Sequence, residues 1–171
     1  MIDGYGRTID YVRISVTDRC NLRCVYCMPE EGVSSISHEE ILRFGEIERV
    51  CQILAENGIQ KIKLTGGEPL VRRRLPELAA ALKQIPGIKS LTITTNGVLL
   101  EEMYDALADA GVDSVTISLD TLDASVYQQL TRRDEIEAVR RGLRTAIQKG
   151  RMQILSELTK LRQLCCDPGL L

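Results

Sequence analysis

Short apolar runs alternate along the chain with longer segments in which apolar residues recur every three or four positions. Four short runs predict β-strands, at residues 12–16, 61–65, 90–95 and 114–119. The longer segments predict helices, one starting at the capping-box sequence Ser37-His38-Glu39-Glu40 and others near 75–84, 101–110 and 135–149. This alternation predicts an α/β fold of about four parallel βα units, either an open sheet or part of a βα barrel.

The segment after Gly150 departs from this alternation. A fifth strand would be expected there, yet one apolar stripe at helical spacing predicts a helix, formed by Ile154, Leu155, Leu158, Leu161 and Leu164. We therefore expect a core domain at residues 1–150 and a helical tail of uncertain origin at 151–171. The apolar stripe of the tail would cover the open edge of strand four.

Composition and net charge favour a soluble globular domain over a membrane protein or a nucleic-acid-binding protein. The chain has 171 residues, 44% hydrophobic and 27% charged, which is typical of one soluble globular domain. Its net charge of −2 favours neither nucleic acid nor an anionic membrane as a partner. No apolar run approaches the roughly 20 residues that span a bilayer, and the first residues do not resemble a secretory signal. We expect a cytoplasmic protein.

Three of the six cysteines lie close together, in the sequence Cys20-Asn21-Leu22-Arg23-Cys24-Val25-Tyr26-Cys27 after strand one. In a cytoplasmic chain such thiols are more typical of metal ligands than of disulfides. Thiolates suit iron–sulfur clusters or zinc, but structural zinc needs four protein ligands, and only His38 or Cys51 is near. A [4Fe–4S] cluster held by three cysteines leaves one iron open. The spacing favours such a catalytic cluster, with zinc or no metal as alternatives.

Polar motifs also follow the other predicted strands. Residues 66–69 (GGEP), 94–97 (TTNG) and 118–120 (SLD) end strands two, three and four. In parallel βα folds, ligands and catalytic groups lie at the carboxyl ends of the strands, so we expect one site there. Glycines would let a ligand approach the backbone. Each motif also has a structural interpretation, as a tight turn at Gly66-Gly67 and Asn96-Gly97 or as a helix cap at Asp120.

Basic residues alternate along two of the strands. Lys61 and Lys63 project from one face of strand two, and Arg13 has a similar position on strand one. On a barrel interior these charges would need an anionic partner such as a polyphosphate. Exposure to solvent at an edge strand is the alternative, and the local pattern does not separate the two.

The cysteine sequence CNLRCVYC together with GGEP resembles the radical-SAM superfamily. Four longer segments are similar to the GTP 3′,8-cyclase family of molybdenum-cofactor biosynthesis, from about Gly6 to Gly150: VRISVTDRCNLRCVYCMPEEG, KIKLTGGEPL, LTITTNGVLL and SVTISLDTLDASVYQQLTRRD. The resemblance implies the N-terminal part of a (βα) barrel of the radical-SAM type. It also implies a lyase that reductively cleaves S-adenosylmethionine (SAM) to a 5′-deoxyadenosyl radical and cyclises GTP toward cyclic pyranopterin.

The resemblance assigns roles to individual residues. Cys20, Cys24 and Cys27 would be the catalytic ligands of a [4Fe–4S] cluster. SAM contacts would come from Tyr26, Gly67, Thr94 and Ser118, with Glu68, Asn96 and Asp120 as further candidates. GTP would face Arg13, Lys61 and Lys63. The implied partners are GTP and a reductant protein, and a homodimer stays open.

Several departures from the family pattern limit the expected activity. Arg74 stands where the family commonly has an aspartate, and Lys63 where it often has an arginine. The family's C-terminal cysteine trio, which binds a second cluster, is absent, and the adjacent Cys165 and Cys166 cannot replace it. We therefore expect a truncated chain that does not complete turnover. The alternatives are another radical-SAM enzyme, such as an activase or peptide maturase, and a non-catalytic zinc-binding module.

Overall fold

The computed structural model describes residues 2–33 and 40–158, the last four of them by their backbone alone. Five parallel strands form one sheet in the order β1-β2-β3-β4-β5, with bounds Tyr11–Ser15, Lys61–Thr65, Ser90–Thr95, Ser114–Leu119 and Gln153–Leu158. The helices are α1 Phe44–Glu56, α2 Leu75–Lys83, α3 Leu100–Asp109, α4 Ala124–Thr131 and α5 Ile136–Lys149, with a 3₁₀ turn at Pro69–Val71. The predicted α/β class of parallel βα units is confirmed.

One face of the sheet is apolar and covered, and the other is polar and half-exposed. Ile62, Leu64, Leu91 and Ile93 project from the covered face and are at most 1% exposed. Strands that follow one another in sequence order through right-handed crossovers place every helix on the same face. The opposite face, which we call the inner face, is thereby left for polar side chains such as Thr92 and Thr94.

The chain after Gly150 forms a strand, so the helix predicted there is wrong for residues 153–158. β5 pairs with β4 along its whole length, from Ser114 opposite Gln153 to Leu119 opposite Leu158. The exposed backbone groups of the β4 edge favour this pairing over a helical stripe. The edge is covered as expected, but by a strand. Residues 159–171, with Cys165 and Cys166, lie outside the described residues, and the domain division at Gly150 stays a prediction.

The first helix begins later than predicted. α1 starts at Phe44, because the segment before it is held in a non-helical form. The Leu42 carbonyl accepts a hydrogen bond from Arg72 Nη2 at 2.6 Å, and the Arg43 N–H donates to the Glu46 carboxylate at 2.6 Å. The predicted capping box around His38 falls on residues 34–39, outside the described residues. Val50 and Ile53, two apolar residues of α1, are exposed.

Sequence reasoning missed the short helix α4. It begins after Asp123, whose Oδ1 accepts the Val126 N–H at 3.0 Å and the Ser125 hydroxyl at 2.7 Å. It ends at Thr131, where Arg132 takes the left-handed conformation with φ 55°. Eight residues are too short for a clear apolar period, so the Asp123 cap was the available signal.

No helix within the described ranges is both long enough and apolar enough to cross a membrane.

Candidate functional site

The loop that carries the three cysteines, residues 17–28, is joined on one side to the end of β2. The Val16 N–H donates to the Thr65 carbonyl at 2.9 Å. Beyond it, Gly67 N–H donates to the Thr17 carbonyl at 2.7 Å and Glu68 N–H donates to the Arg19 carbonyl at 2.8 Å. Backbone pairing between β1 and β2 therefore continues past both strands and into this cysteine loop.

The glycine pair makes this close approach sterically feasible. A Cβ atom on Gly66 would lie 2.4 Å from the Thr17 carbonyl oxygen, and one on Gly67 would lie 2.3 Å from the Arg19 carbonyl oxygen. Gly66 also has φ +153°, a conformation that other residues rarely adopt. The space left by the missing Cβ atoms is therefore filled by the cysteine loop. Contact between the Gly67 backbone and a ligand stays a prediction.

The other side of the cysteine loop is bound to the end of α4. The Arg23 N–H donates to the Thr131 carbonyl and the Val25 N–H to the Leu130 carbonyl, both at 2.9 Å. The last carbonyls of a helix lack partners within the helix, so this contact satisfies them. The cysteine loop is thus fixed between the glycine pair and α4.

Bonds within the loop set the relative positions of the cysteines. The Arg23 guanidinium donates through Nη1 to the carbonyls of Cys20, at 2.7 Å, and Leu22, at 2.8 Å. The Cys24 carbonyl accepts the N–H groups of Cys27 and Met28, both at 3.0 Å, which closes a turn. All three thiols are free of disulfides.

One cavity of about 260 Å³ contains the predicted residues at the carboxyl ends of the strands. It includes all three cysteines, all seven predicted SAM contacts and Arg13. Its lining comprises Arg13, Cys20, Leu22, Cys24, Tyr26, Cys27, Thr65, Gly66, Gly67, Glu68, Thr94, Thr95, Asn96, Ser118, Asp120, Tyr127 and Thr131. A larger cavity of about 400 Å³, beside the start of α1, contains no cysteine.

Glu68 lies beneath this cavity and is 1% exposed. Its carboxylate accepts the Leu70 N–H at 3.0 Å, the Thr95 hydroxyl at 2.7 Å and the Asn96 N–H at 2.7 Å. Burial raises the pKa of Glu68, whereas these donors act in the opposite direction. The carboxylate thereby joins the carboxyl ends of β2 and β3.

Asn96 serves both the turn and the site. Its Oδ1 accepts the Val98 N–H at 3.0 Å, which is the turn contact that the Asn-Gly sequence predicts. Its Nδ2 donates to Asn21 Oδ1 at 2.7 Å and lies 3.8 Å from the Cys20 sulfur. The structural and functional interpretations of this residue are therefore compatible.

Tyr26 spans the cavity from the cysteine loop to the end of β4, where its hydroxyl donates to the Asp120 carboxylate. Loss of hydration, followed by this hydrogen bond, raises the pKa of Tyr26. Asp120 does not cap the following helix, since Asp123 does. The structural interpretation of Asp120 is therefore wrong.

The three cysteine thiols share one cavity, where they are candidate metal ligands. Burial raises the pKa of Cys20 and of Cys24, so metal binding would have to release their protons. Across residues 2–33 and 40–158, no three His, Cys, Asp or Glu side chains converge on one ion. A cluster binds each thiolate through a different iron atom and needs no such convergence. Cys51, a suggested fourth zinc ligand, is wholly buried in the core, and His38 lies outside the described residues.

The predicted basic residues are not all at the cavity. Arg13 lines it and is in register with Lys63 on the neighbouring strand. Lys61 lies at the amino end of β2, where its ammonium is paired with Asp10 at 2.8 Å. Thr65, at the cavity, lies four residue steps along β2 from Lys61, or about 13 Å. A shared role for Arg13, Lys61 and Lys63 in binding GTP stays a prediction.

Tyr127 and Thr131 are cavity residues that sequence reasoning missed, because both lie on α4. Tyr127 is 3% exposed, and its hydroxyl has no hydrogen-bond partner within the described residues. The Asp123 cap, which would have revealed α4, was the signal that could have identified them.

Known proteins are similar to this chain over most of its length. The sequence model of the Radical SAM superfamily matches residues 14–159. The chain is 54% identical over 150 residues to a GTP 3′,8-cyclase of Pelotomaculum thermopropionicum, covering 88% of the chain and 46% of the relative. It is 49% identical to a GTP 3′,8-cyclase of Petrotoga mobilis over the same shares. The chain thus spans a little under half the length of these relatives.

Solved structures share the fold. Methylornithine synthase matches with a TM-score of 0.66 and 20% identity, over 85% of this chain and 43% of that one. A structure described as native anSMEcpe with bound AdoMet matches with a TM-score of 0.67 and 20% identity, over 85% of this chain and 42% of that one. At this identity the likeness concerns the fold alone.

Proposed function

The chain belongs to the radical SAM superfamily, and we propose from this membership that it binds a [4Fe–4S] cluster and SAM. The observation that carries the proposal is the single cavity shared by Cys20, Cys24 and Cys27 with the carboxyl ends of β2, β3 and β4. Three thiols without a fourth protein ligand are the donor set for a cluster that keeps one iron open. When bound and reduced, this cluster would supply the electron that cleaves SAM to methionine and a 5′-deoxyadenosyl radical.

The residues of this chain would orient and enclose these groups. The cysteine loop presents the three thiolates, and the ends of the strands face them across the cavity. Tyr26, Thr94 and Ser118 would contact SAM with polar atoms, and Gly67 with its backbone. Asn96 and Asp120 are tied to the cysteine loop through Asn21 and Tyr26 and would keep the cavity in shape. Glu68 would fix the floor of the cavity or contact SAM directly.

We further propose that the substrate is GTP and that the reaction leads toward cyclic pyranopterin. Sequence identities of 54% and 49% with GTP 3′,8-cyclases support this proposal. Arg13 and Lys63 adjoin each other on the inner face and would offer positive charge to a triphosphate. Lys61 would have to leave Asp10 to join them.

The partners and extent of the enzyme are part of this proposal. A reductant protein would supply electrons, the setting would be the cytoplasm, and a homodimer stays open. Relatives are about twice as long as this chain. We propose that this chain alone binds cluster and SAM but does not complete cyclisation, because it spans a little under half the length of the GTP 3′,8-cyclases that it matches.

Anaerobic reconstitution with iron and sulfide tests the central assignment. We expect about four iron and four sulfide per chain, lost in Cys20→Ala because one ligand is removed. Cys51→Ala is the matched control, since Cys51 lies in the core away from the cavity. Zinc without sulfide in the purified chain would instead favour a zinc-binding module.

SAM cleavage after chemical reduction tests the chemistry, through 5′-deoxyadenosine formed with and without GTP. GTP binding that weakens in Lys63→Ala and in Lys61→Ala supports the cyclase assignment. An activase or peptide maturase would cleave SAM and bind no GTP. A cluster-loaded chain that forms no 5′-deoxyadenosine would contradict the proposal.

A further inference from the structure

The hydroxyl of Tyr127 is buried without a hydrogen bond. The side chain lies on α4 and is 3% exposed, and no described residue partners its oxygen. Burying a phenol hydroxyl in this way costs free energy that a phenylalanine of the same shape would avoid. The same ring lines the cavity that holds Cys20 and Cys24.

The surroundings of Tyr127 contain the sulfur atoms of Cys20 and Cys24, the Glu135 carboxylate and the Thr131 hydroxyl. Of these, Cys20 and Cys24 line the same cavity as Tyr127, and Glu135 does not. The nearby Thr131 hydroxyl is directed to backbone, 2.8 Å from the Tyr127 carbonyl. A tyrosine phenol, with an ordinary pKa of about 10, keeps its proton at neutral pH and can donate it.

The position of Tyr127 relative to the cysteines is fixed. It lies one helical turn before Leu130 and Thr131, whose carbonyls accept hydrogen bonds from the cysteine loop. α4 is capped by Asp123 at its other end. The helix that presents the hydroxyl is thus the same helix that holds the loop.

We propose that Tyr127 donates a hydrogen bond to a sulfur of the bound cluster, on the side of Cys20 and Cys24, and raises the cluster's reduction potential. This inference rests on the proposed cluster. One-electron reduction, by a reductant protein or by dithionite, increases negative charge on the sulfur atoms. A hydrogen bond to sulfur therefore favours the reduced form.

Tyr127→Phe removes the hydroxyl and leaves the ring. In the reconstituted full chain we expect unchanged iron and sulfide content and an approximately tenfold shift of the reduction equilibrium toward the oxidised form. For one electron that is a midpoint about 59 mV lower. A redox titration followed by electron paramagnetic resonance measures it. Thermal unfolding of the metal-free chain should show no loss of stability, because the lost hydroxyl had no partner.

Tyr104→Phe is the matched control. Tyr104 is also wholly buried, but its hydroxyl accepts the Arg151 N–H at 2.9 Å and the Met152 N–H at 3.2 Å. This variant should lose stability and keep the potential of the wild type. A fluorotyrosine at position 127 is a stronger donor of similar size, so it should raise the potential.

Different failures are distinguishable. A wild-type chain that takes up no cluster overturns the proposed function, and this inference with it. A loaded Tyr127→Phe chain with the wild-type potential overturns the inference alone. If the Tyr127→Phe chain takes up no cluster, the chain with fluorotyrosine at position 127 provides the test. An unchanged reduction potential in that chain also overturns the inference.

Discussion

The buried carboxylate of Glu68, at the end of β2, accepts the backbone N–H of Asn96, at the end of β3, at 2.7 Å. Because Asn96 also reaches Asn21 in the cysteine loop, this contact joins two strand ends and the loop through one acidic residue. The paired register of β2 and β3 ends at Leu64 and Ile93. Glu68 extends that connection into the site.

Glu68→Gln should therefore destabilise the protein. The amide nitrogen of glutamine must face one of three donors, from Leu70, Thr95 or Asn96, and one buried N–H loses its acceptor. We expect a loss of about 1–3 kcal/mol in the free energy of unfolding, measured by urea denaturation. Glu102→Gln makes the same change of charge at an exposed residue of α3 outside this network, so it is the matched control. Wild-type stability in Glu68→Gln would show that the three contacts carry little free energy.

Gly67→Ala should displace the cysteine loop, because the new Cβ would overlap the Arg19 carbonyl. We expect a loss of roughly 1–3 kcal/mol in unfolding free energy together with lower cluster uptake. Gly45→Ala is the matched control, since no atom lies within 4 Å of its Cβ position. That change in α1 should be neutral or stabilising by up to about 1 kcal/mol. A Gly67→Ala chain that folds and loads like the wild type would refute the steric argument.

Asp123 should give the protein a stability contribution that is lost in acid. The Val126 N–H, followed by the Ser125 hydroxyl, lowers the pKa of Asp123 below its ordinary 3.8. A lowered pKa means that the folded state binds the proton more weakly than the unfolded state. The contribution is thus complete above pH 3.8 and declines as the pH falls through the folded-state pKa.

Thermal unfolding from pH 6 downward checks this expectation. The difference in melting temperature between the wild type and Asp123→Ala should be largest near neutrality and shrink below pH 3.8. Asp123→Asn keeps a cap without the charge, and its difference from Asp123→Ala should change little with pH. If the difference in melting temperature between the wild type and Asp123→Ala stayed constant down to pH 2.5, it would be inconsistent with the lowered pKa of Asp123.

Arg74→Asn should raise the melting temperature. Arg74 precedes α2 with φ 62° and makes no side-chain cap, although it pairs with Glu77. Asparagine tolerates the left-handed conformation better, so we expect a gain of roughly 1–3 °C in thermal unfolding. Arg73→Asn makes the same change of charge at a residue without positive φ and should give no gain. Equal effects at both positions would point to charge alone.

Four of the five strands and the cavity at their carboxyl ends could be predicted from the sequence, and the contacts that build the cavity could not. Residues 61–65, 90–95 and 114–119 are β-rich runs between clear turn signals, and their predicted bounds match the structure. The cysteine loop is held through backbone groups of Thr17, Arg19, Leu130 and Thr131. Every residue type carries such groups, so the sequence does not mark them.

The sequence prediction was wrong for two elements, α4 and β5, and the physical reason differs between them. α4 is too short to show a period, and its Asp123 cap was overlooked. β5 has the spacing of a helix, but the edge of β4 pairs with residues 153–158 as a strand. Just before this strand, the Tyr104 hydroxyl accepts the N–H groups of Arg151 and Met152. Tertiary contacts outweigh local preference at that position.

Main-chain anchoring of the cysteine loop on both sides has a consequence for assembly. Ordering a flexible segment costs about 1–2 kcal/mol for each residue fixed. In this chain the cysteine loop is already ordered when the protein folds, because the amides of Gly67, Glu68, Arg23 and Val25 form hydrogen bonds that hold it. Iron and sulfide arriving later would meet thiols whose backbone is already in place, so affinity would depend on the chemistry of the donors more than on rearrangement of the polypeptide.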